Sequence, residues 1–276
     1  MRAEVLLPLL LVGSAYAIGW VRLSRRAPLL VRRWRLALAF AGLTSVGLAL
    51  LSPLDQLAHL LFSAHMVQHM LLMMVAPPLL LLADPLPMVL WGLPRSLRVR
   101  VGLLLASGRP LRRTWRALTW MPLAWLISAV TLWVWHWPPA YEAALRDGVL
   151  HDLEHLAFFG AGVLFWWPII SPAPRLHGYV RHGLRIVYVV LAEGQHALLG
   201  LLLSMSPEVL YASYVTAAPR LWDLSPLDDQ AWGGIIMWAT GGVVGLATVM
   251  VLLFLLFARE TEAPLLVKTA ETLGPR

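Results

Sequence analysis

The sequence predicts an all-α fold, a polytopic membrane bundle of about seven transmembrane helices. Hydrophobic residues make up 59% of the 276 residues, where a soluble domain has roughly 45–50%. Charged residues make up only 13%, about half of the usual share, and a soluble fold of this size needs more charge to cover its surface. The apolar residues form continuous runs, which are typical of membrane helices and not of the alternating strands of a barrel.

Seven apolar runs are long enough to cross a bilayer, at roughly 20 residues each. They cover 4–21, 36–52, 55–82, 119–136, 151–170, 184–205 and 231–257. Pro77 and Pro78 predict that the third helix kinks or ends there. The segment 86–93 is too short to cross and is expected to be interfacial or re-entrant. Residues 1–260 are therefore predicted to form a single seven-span domain, and residues 261–276 a polar cytoplasmic tail.

The basic residues fall almost entirely into alternate loops. Of the 22 Lys and Arg, 19 lie in four segments on one side, and the other side has only Arg2, Arg146 and Arg220. The four segments are 22–35, 95–116, 175–185 and 259–276. The positive-inside rule predicts that the side with more basic residues is cytoplasmic. In a bacterial inner membrane the N-terminus would then lie on the outer side and the C-terminus in the cytoplasm. The net charge of +7 thus reflects topology and contact with the lipid bilayer, and no nucleic-acid partner is expected.

The first apolar run resembles a cleavable signal peptide, because it has a short apolar core and ends in the small residues of Ser-Ala-Tyr-Ala. Cleavage after Ala17 would leave the arginines of 22–35 on the outer side, against the charge alternation. We therefore expect an uncleaved first span.

Ionisable side chains inside the predicted spans are concentrated in histidines. His65 and His69 share one face of span 3, and His151 and His155 share one face of span 5, because residues four apart on a helix are neighbours. Such a pair can grip one metal ion. The predicted metal ligands are His65, His69, His136, His151, His155 and His196, in one elongated cluster or in two layers. The alternative is a set of interhelical hydrogen bonds that hold the bundle together.

The chain has no cysteine, so a metal must be bound by His, Met, Asp or Glu. Met66 and Met70 lie beside the His pair of span 3, and thioether with imidazole favours copper, especially Cu(I). A methionine stripe on an apolar helix is also typical of simple packing. Copper is therefore the predicted metal, with Met66 and Met70 as auxiliary residues.

Four acidic residues near the predicted cluster are candidates for supporting roles. Glu193 in span 6 and Asp152 beside His151 could hold a histidine tautomer or serve as an intramembrane proton site. Asp228 and Asp229 lead into span 7 and complete the auxiliary set. His59 is expected to pack and not to bind metal.

Several of these segments together resemble a known family. They are SAHMVQHMLL in span 3, WHWPPAYEAAL and HDLEH around spans 4 and 5, and DDQAWGGIIMW at span 7. The chain resembles the multi-span CtaG-type cytochrome c oxidase assembly factors of bacteria, as distinct from the single-span copper chaperone that shares the name. The motif residues carried over are His65, His69, His136, His151, His155, Asp228, Asp229 and Gln230.

The resemblance, which covers spans 3 to 7, implies a non-enzymatic inner-membrane factor that matures the metal centre of a haem–copper oxidase. Its expected partners are the oxidase catalytic subunit and a periplasmic copper donor. Three alternatives remain open: a bis-His haem protein using His65 and His196, a His-box di-iron oxidoreductase, and a copper transporter. The di-iron class usually needs about eight histidines on the cytoplasmic side, whereas only His177 and His182 are predicted there.

Overall fold

A computed structural model describes the backbone of residues 2–217 and 221–272, and side chains up to Ala258 except that of Leu30. Every regular element in these residues is a helix, which confirms the predicted fold class. Six helices are long and apolar enough to cross a membrane, and a bent helix pair makes a seventh if it is counted as one span. Arg220 and the last four residues of the predicted tail lie outside the described residues.

The first two spans form a helical hairpin that leads into a short third helix. The elements are α1 (Ala3–Arg26), a 3-10 turn (Pro28–Leu30), α2 (Arg33–Leu51) and α3 (Pro53–Ala58). Ser52 caps α3, because its side chain accepts a hydrogen bond from the Leu54 amide at 3.1 Å. The prediction of one helix over 55–82 was wrong in its first part, because the chain turns after Ala58 and the third span begins only at Phe62.

The third span is α4 (Phe62–Met70), a π-helical segment (Leu71–Val75) and α5 (Ala76–Leu82), which together form one helix of 21 residues. The helix does not end at Pro77 and Pro78, and its irregular part lies directly before them. Pro77 has no amide hydrogen, so it cannot donate the helical hydrogen bond to the carbonyl of Met73, four residues earlier. The indole Nε1 of Trp166 donates to that carbonyl at 3.1 Å instead, so the proline pair is accommodated inside the span.

Shorter helices follow: α6 (Pro85–Gly92), α7 (Arg95–Leu104), α8 (Pro110–Leu118) and α9 (Met121–His136). With eight residues α6 is too short to cross a bilayer, and it packs against α1. Helices α8 and α9 are bent by 68° relative to each other and make the possible seventh span. The arginines of α8 lie next to the loop that carries His177, whose ring contacts Thr119 at 2.9 Å.

The remaining elements are α10 (Pro138–Arg146), α11 (Gly148–Ile170), α12 (His182–Ser204), α13 (Ala212–Thr216) and α14 (Pro226–Thr272). Residues 261–272 of the predicted tail continue α14. Helices α12 and α14 approach closely at Gly200, where an added Cβ would lie 2.7 Å from the carbonyl oxygen of Gly234. Small residues at such crossings are typical of helix pairs in membranes.

The bundle has two chemically different ends. At one end Arg2 pairs with Asp55 at 3.4 Å and with Asp152 at 3.2 Å, which joins the starts of α1, α3 and α11. We call this the histidine end, because His59 and His151 also lie there. At the other, the arginine end, Arg35 pairs with Asp84 at 3.1 Å. Which end faces the cytoplasm stays a prediction.

Candidate metal centre

The position of the first histidine pair depends on how α4 begins. Its N-cap residue, Leu61, provides no capping side chain, so the first amides of the helix need an acceptor from elsewhere. Asp229 at the start of α14 supplies it, accepting from the amide of Phe62 at 2.6 Å and from that of Ser63 at 3.1 Å. One carboxylate therefore fixes the turn from which His65 projects.

The second pair is placed by a local cap on α11. The side chain of Asp147 accepts from the amides of Val149 at 2.8 Å and Leu150 at 3.2 Å. His151 follows directly and His155 lies one turn later, with ring centroids 4.3 Å apart. The sequence therefore sets the pair spacing, and the Asp147 cap sets where the pair starts.

The two pairs meet in the interior. The rings of His65 and His69 lie 4.3 Å apart, and the His65 ring lies 5.1 Å from that of His151 and 5.9 Å from that of His155. The His69 ring lies 5.8 Å from that of His155. All four side chains are at most 3% exposed. This places four of the six predicted ligands in one cluster.

The cluster contains two overlapping sets of metal-ligand atoms. One set is His65, His151 and His155, and the other is His65, His69 and Glu154. Within each set the ligand atoms lie within 4.8 Å of one another, and His65 belongs to both. Three ligands that also leave a position open match the coordination that an exchangeable metal needs.

Many polar atoms of these residues are buried and, within the described part of the chain, have no hydrogen-bond partner. They are Nε2 of His65 and His151, both ring nitrogens of His69 and His155, and both carboxylate oxygens of Glu154. A buried polar group without a partner costs about 1–3 kcal/mol, and native proteins contain few of them. A cation held between these atoms would satisfy several at once.

Glu154 is the site residue that the sequence reasoning did not identify. Its carboxylate lies 3.8 Å from Nε2 of His65 and 3.6 Å from Nε2 of His69, and the side chain is fully buried. The signal was present, because Glu154 lies three residues after His151 and therefore shares its helix face. Asp152, the acid expected to support the cluster, is 56% exposed and pairs with Arg2.

Three tyrosines from the histidine end pack against the site, and two of them contact His65. The hydroxyls of Tyr141 and Tyr214 lie 2.7 and 3.0 Å from Nδ1 of His65, and 2.8 Å from each other. Tyr214 also donates to the carbonyl of Ala58 at 3.0 Å. Burial raises the pKa of both phenols well above 10, so they keep their protons.

One assignment of donors and acceptors gives every polar group in this row a hydrogen-bond partner. Nδ1–H of His65 donates to Tyr141, Tyr141 donates to Tyr214, and Tyr214 donates to Ala58. Nε2 of His65 then carries the free lone pair and faces the other ligands. A hydrogen bond on the far ring nitrogen is how proteins orient a metal-binding histidine.

His136 lies at the inner margin of the cluster, with its ring 6.1 Å from that of His69. Its Nδ1 donates to the carbonyl of Leu132 at 2.8 Å, which leaves the lone pair on Nε2. The backbone carbonyl of His136 accepts a hydrogen bond from the third tyrosine, Tyr211, at 2.9 Å. His136 is oriented like a ligand but belongs to neither set of donor atoms.

His196 and Glu193 on α12 face a different neighbour. A Cβ placed on Gly241 of α14 would lie 3.5 Å from Cβ of His196, and one on Gly245 would lie 2.8 Å from Cδ of Glu193. Nδ1 of His196 donates to the carbonyl of Ala192 at 3.1 Å. Neither side chain belongs to the donor sets found among the described residues.

The remaining predicted auxiliary residues have structural contacts. Met66 and Met70 belong to the apolar core, and Met66 packs near Gly233 of α14. Asp228 is exposed, and its side chain pairs with the hydroxyl of Ser225 at the start of α14. A role of these residues in metal binding stays a prediction, as does ligation by His136 and His196.

Comparison with known proteins identifies the family. Residues 14–259 match the sequence profile of the cytochrome c oxidase caa3 assembly factors. The chain belongs to this family. The match covers far more than half of the chain and includes all residues of the candidate site. It also includes the second half of α1 and all of α2, two helices that contributed little to the resemblance seen in the motifs.

Three curated relatives from mycobacteria are similar over 83% of the chain. Uncharacterized proteins of Mycobacterium bovis and Mycobacterium tuberculosis are each 27% identical over 254 residues, and one of Mycobacterium leprae is 26% identical over 252 residues. The aligned region is only 35–36% of their length, so the chain spans about a third of these relatives. No solved structure matches the chain.

The family is that of the cytochrome c oxidase caa3 assembly factors. The apolar helices are those of a multi-pass membrane protein. The histidine and glutamate cluster is the chemically distinctive part of the described structure.

Proposed function

We propose that the protein is a copper metallochaperone of the bacterial inner membrane, which holds copper between α4 and α11 and delivers it to the catalytic subunit of a haem–copper oxidase. The main support for this proposal is the pair of donor sets that share His65. The family points to cytochrome c oxidase as the protein that receives the metal. The chemistry of the donor atoms points to copper as the metal.

The donor set and its surroundings favour copper in its monovalent form. Imidazole nitrogen binds copper well, and copper(II) is the most tightly bound of the common divalent metals at most nitrogen sites. The site is enclosed by aromatic side chains, with the ring of Phe158 4.2 Å from that of His69. Excess charge is costly in such surroundings. In the set of His65, His69 and Glu154, Cu(I) with two neutral histidines and one carboxylate is electrically neutral, whereas a divalent ion leaves one excess positive charge.

The overlap of the donor sets supports release as well as binding. An ion bound by His65, His151 and His155 can exchange two ligands for His69 and Glu154 while His65 remains attached. Stepwise exchange avoids a bare ion in an apolar interior, which would be costly. A chaperone needs this property, because a closed four-ligand cage would hold the metal too firmly for transfer.

The proposed orientation places the histidine end on the periplasmic side and the arginine end in the cytoplasm. Copper would then arrive from a periplasmic donor and leave laterally toward the oxidase subunit in the same membrane. The clustering of 19 of the 22 basic residues in alternate loops supports this orientation.

The test compares metal content between the wild type and two variants. Purified protein is loaded with Cu(I) under reducing conditions, and bound copper, iron and zinc are measured by mass spectrometry. We expect about one copper per chain, because the donor sets share His65. The His65→Ala and His69→Ala double variant should lose the copper and lower oxidase activity in cells, whereas His196→Ala should bind normally.

Helical circular dichroism and elution volume check that the variants are folded. Full copper content and full oxidase activity in the double variant would overturn the proposal. A Soret absorption band in the purified protein would instead support the bis-His haem alternative, and tightly bound iron without haem would support the di-iron alternative.

A further inference from the structure

One histidine of the cluster region, His59, is exposed at the surface. It lies in the short connection between α3 and α4, where its backbone amide donates to the carbonyl of Gln56 at 3.3 Å. The other histidines nearby are all buried: His136 is 4% exposed, and those of the two pairs are 3% or less. Among these side chains, His59 is the one that an ion in solution can reach without movement of the protein.

The rings form a continuous row from the surface to the buried site. The centroid of His59 lies 5.1 Å from that of His151, and the His151 centroid lies 5.1 Å from that of His65. From His65 the next ring, His69, is 4.3 Å away. Because each step is about the distance between two imidazoles that share a metal, an ion can pass along the row by exchange of one ligand at a time.

Two ion pairs tie the helix before His59 to the helix that carries His151. Asp55 on α3 and Asp152 on α11 lie on either side of Arg2 and pair with it at 3.4 and 3.2 Å. The first two rings of the row are therefore carried by helices that are joined at the same end of the bundle.

We propose that His59 is a loading ligand: together with His151 it takes incoming Cu(I) at the surface and passes it to His65 and His155. This inference rests on the proposed copper function and adds a route to it. His59 belongs to neither buried donor set. Its loss should therefore change how fast copper enters and leave the final amount of bound copper unchanged.

The experiment follows copper transfer over time from the coloured Cu(I)–bicinchoninate complex to the full-length protein in detergent. The variant His59→Ala should slow transfer about ten-fold and reach the same final copper content as the wild type. The variant His59→Met should restore most of the rate, because a thioether binds Cu(I). Gln56→Ala, an exposed change on the same turn, serves as the matched control and should transfer at the wild-type rate.

Each outcome decides between the two proposals. An unchanged rate in His59→Ala would overturn the loading role alone, as long as the wild type takes up copper and the His65/His69 double variant does not. A lower final copper content in His59→Ala would also overturn it, since His59 would then be a permanent ligand. A wild type that takes up no copper would overturn the proposed function itself.

Discussion

Two pairs of helices can be compared, because each buries ionisable side chains, and of the two only the pair α4 and α11 forms a candidate site among the described residues. On α11, His151 and Glu154 are three residues apart, and on α12, Glu193 and His196 have the same spacing. Opposite α11 lies α4, which contributes two more histidines at matching height. Opposite α12 lies α14, which presents glycines at that level.

The comparison shows that ligand spacing on one helix is not enough to form a metal site. The i, i+3 and i, i+4 patterns bring two ligands to one face of a helix, but a metal needs at least a third ligand from another element. For the ligands of α11, helix α4 supplies the further ligands His65 and His69. Those of α12 lie against the glycines of α14 and belong to no donor set among the described residues.

The largest expected effect separates the two buried glutamates. Glu154→Gln removes the carboxylate that faces His65 and His69, and we expect Cu(I) affinity to fall by about ten- to a hundred-fold. Glu193→Gln is the matched control in the other helix pair and should bind like the wild type. Competition titration with bicinchoninate measures both constants. Equal losses in the two variants would remove the distinction between the helix pairs.

A smaller effect is expected from the residue that positions α4. Asp229→Ala removes the cap on the amides of Phe62 and Ser63 and should destabilise the protein by about 1–2 kcal/mol. We expect a lower melting temperature in detergent. We also expect weaker copper binding, because the first turn of α4, from which His65 projects, is no longer held in place.

The neighbouring Asp228→Ala is the control for that variant. Asp228 is exposed, and among the described hydrogen bonds its carboxylate accepts from the Ser225 hydroxyl, while its own amide donates to that hydroxyl. It should melt at the wild-type temperature. Asp229→Asn should recover part of the stability, since asparagine is also a good helix cap. Identical melting of Asp229→Ala and Asp228→Ala would show that the cap does not hold α4.

The smallest expected effect concerns pH at the tyrosine-bearing loop. Glu142 accepts hydrogen bonds from the amide and hydroxyl of Ser213 at 2.9 and 2.6 Å and pairs with Arg146, which holds α13 beside the site. Burial raises the pKa of Glu142, but the Ser213 hydrogen bonds and the Arg146 charge outweigh it, so the pKa lies below its usual 4.5.

Because folding lowers this pKa, the ionised carboxylate stabilises the loop above pH 4.5, and that contribution is lost as the pH falls through the folded value. The protection of the α13 amides, which is their exchange corrected for the intrinsic rate at each pH, should therefore fall below pH 4.5, and Glu142→Gln should show the lower protection already at pH 7. The Glu208→Gln variant, on the same loop, is the control. Protection that does not change with pH or in Glu142→Gln would contradict this account.

Much of the candidate site followed from local pattern. His65 with His69 and His151 with His155 were identified from helical spacing, and the structure brings these four together. Glu154 also has helical spacing to His151, whereas the acid that the sequence analysis names on this helix is Asp152. The difference between these acids is burial, which depends on the neighbouring helices and is not encoded in the spacing.

Other features had no local signal. Asp229 caps α4 because the start of α14 lies next to the start of α4 in the folded chain. The two residues joined by this cap, Phe62 and Asp229, are 167 positions apart in the sequence. The hydrogen bonds of Tyr141 and Tyr214 to His65 join elements separated by 76 and 149 residues. The break between α3 and α4 moves the start of the third span to Phe62 and leaves His59 at the surface.

The sequence by itself determined that this chain is a helical membrane protein with two histidine pairs on two of its spans, because apolar run length and residue spacing are local properties that a lipid environment enforces. The tertiary structure alone decided which of the buried polar residues lie together in one cluster. Side-chain convergence depends on how helices distant in the chain pack and rotate against one another, and the packing of α4 against α11 assembles the site, whereas that of α12 against α14 does not.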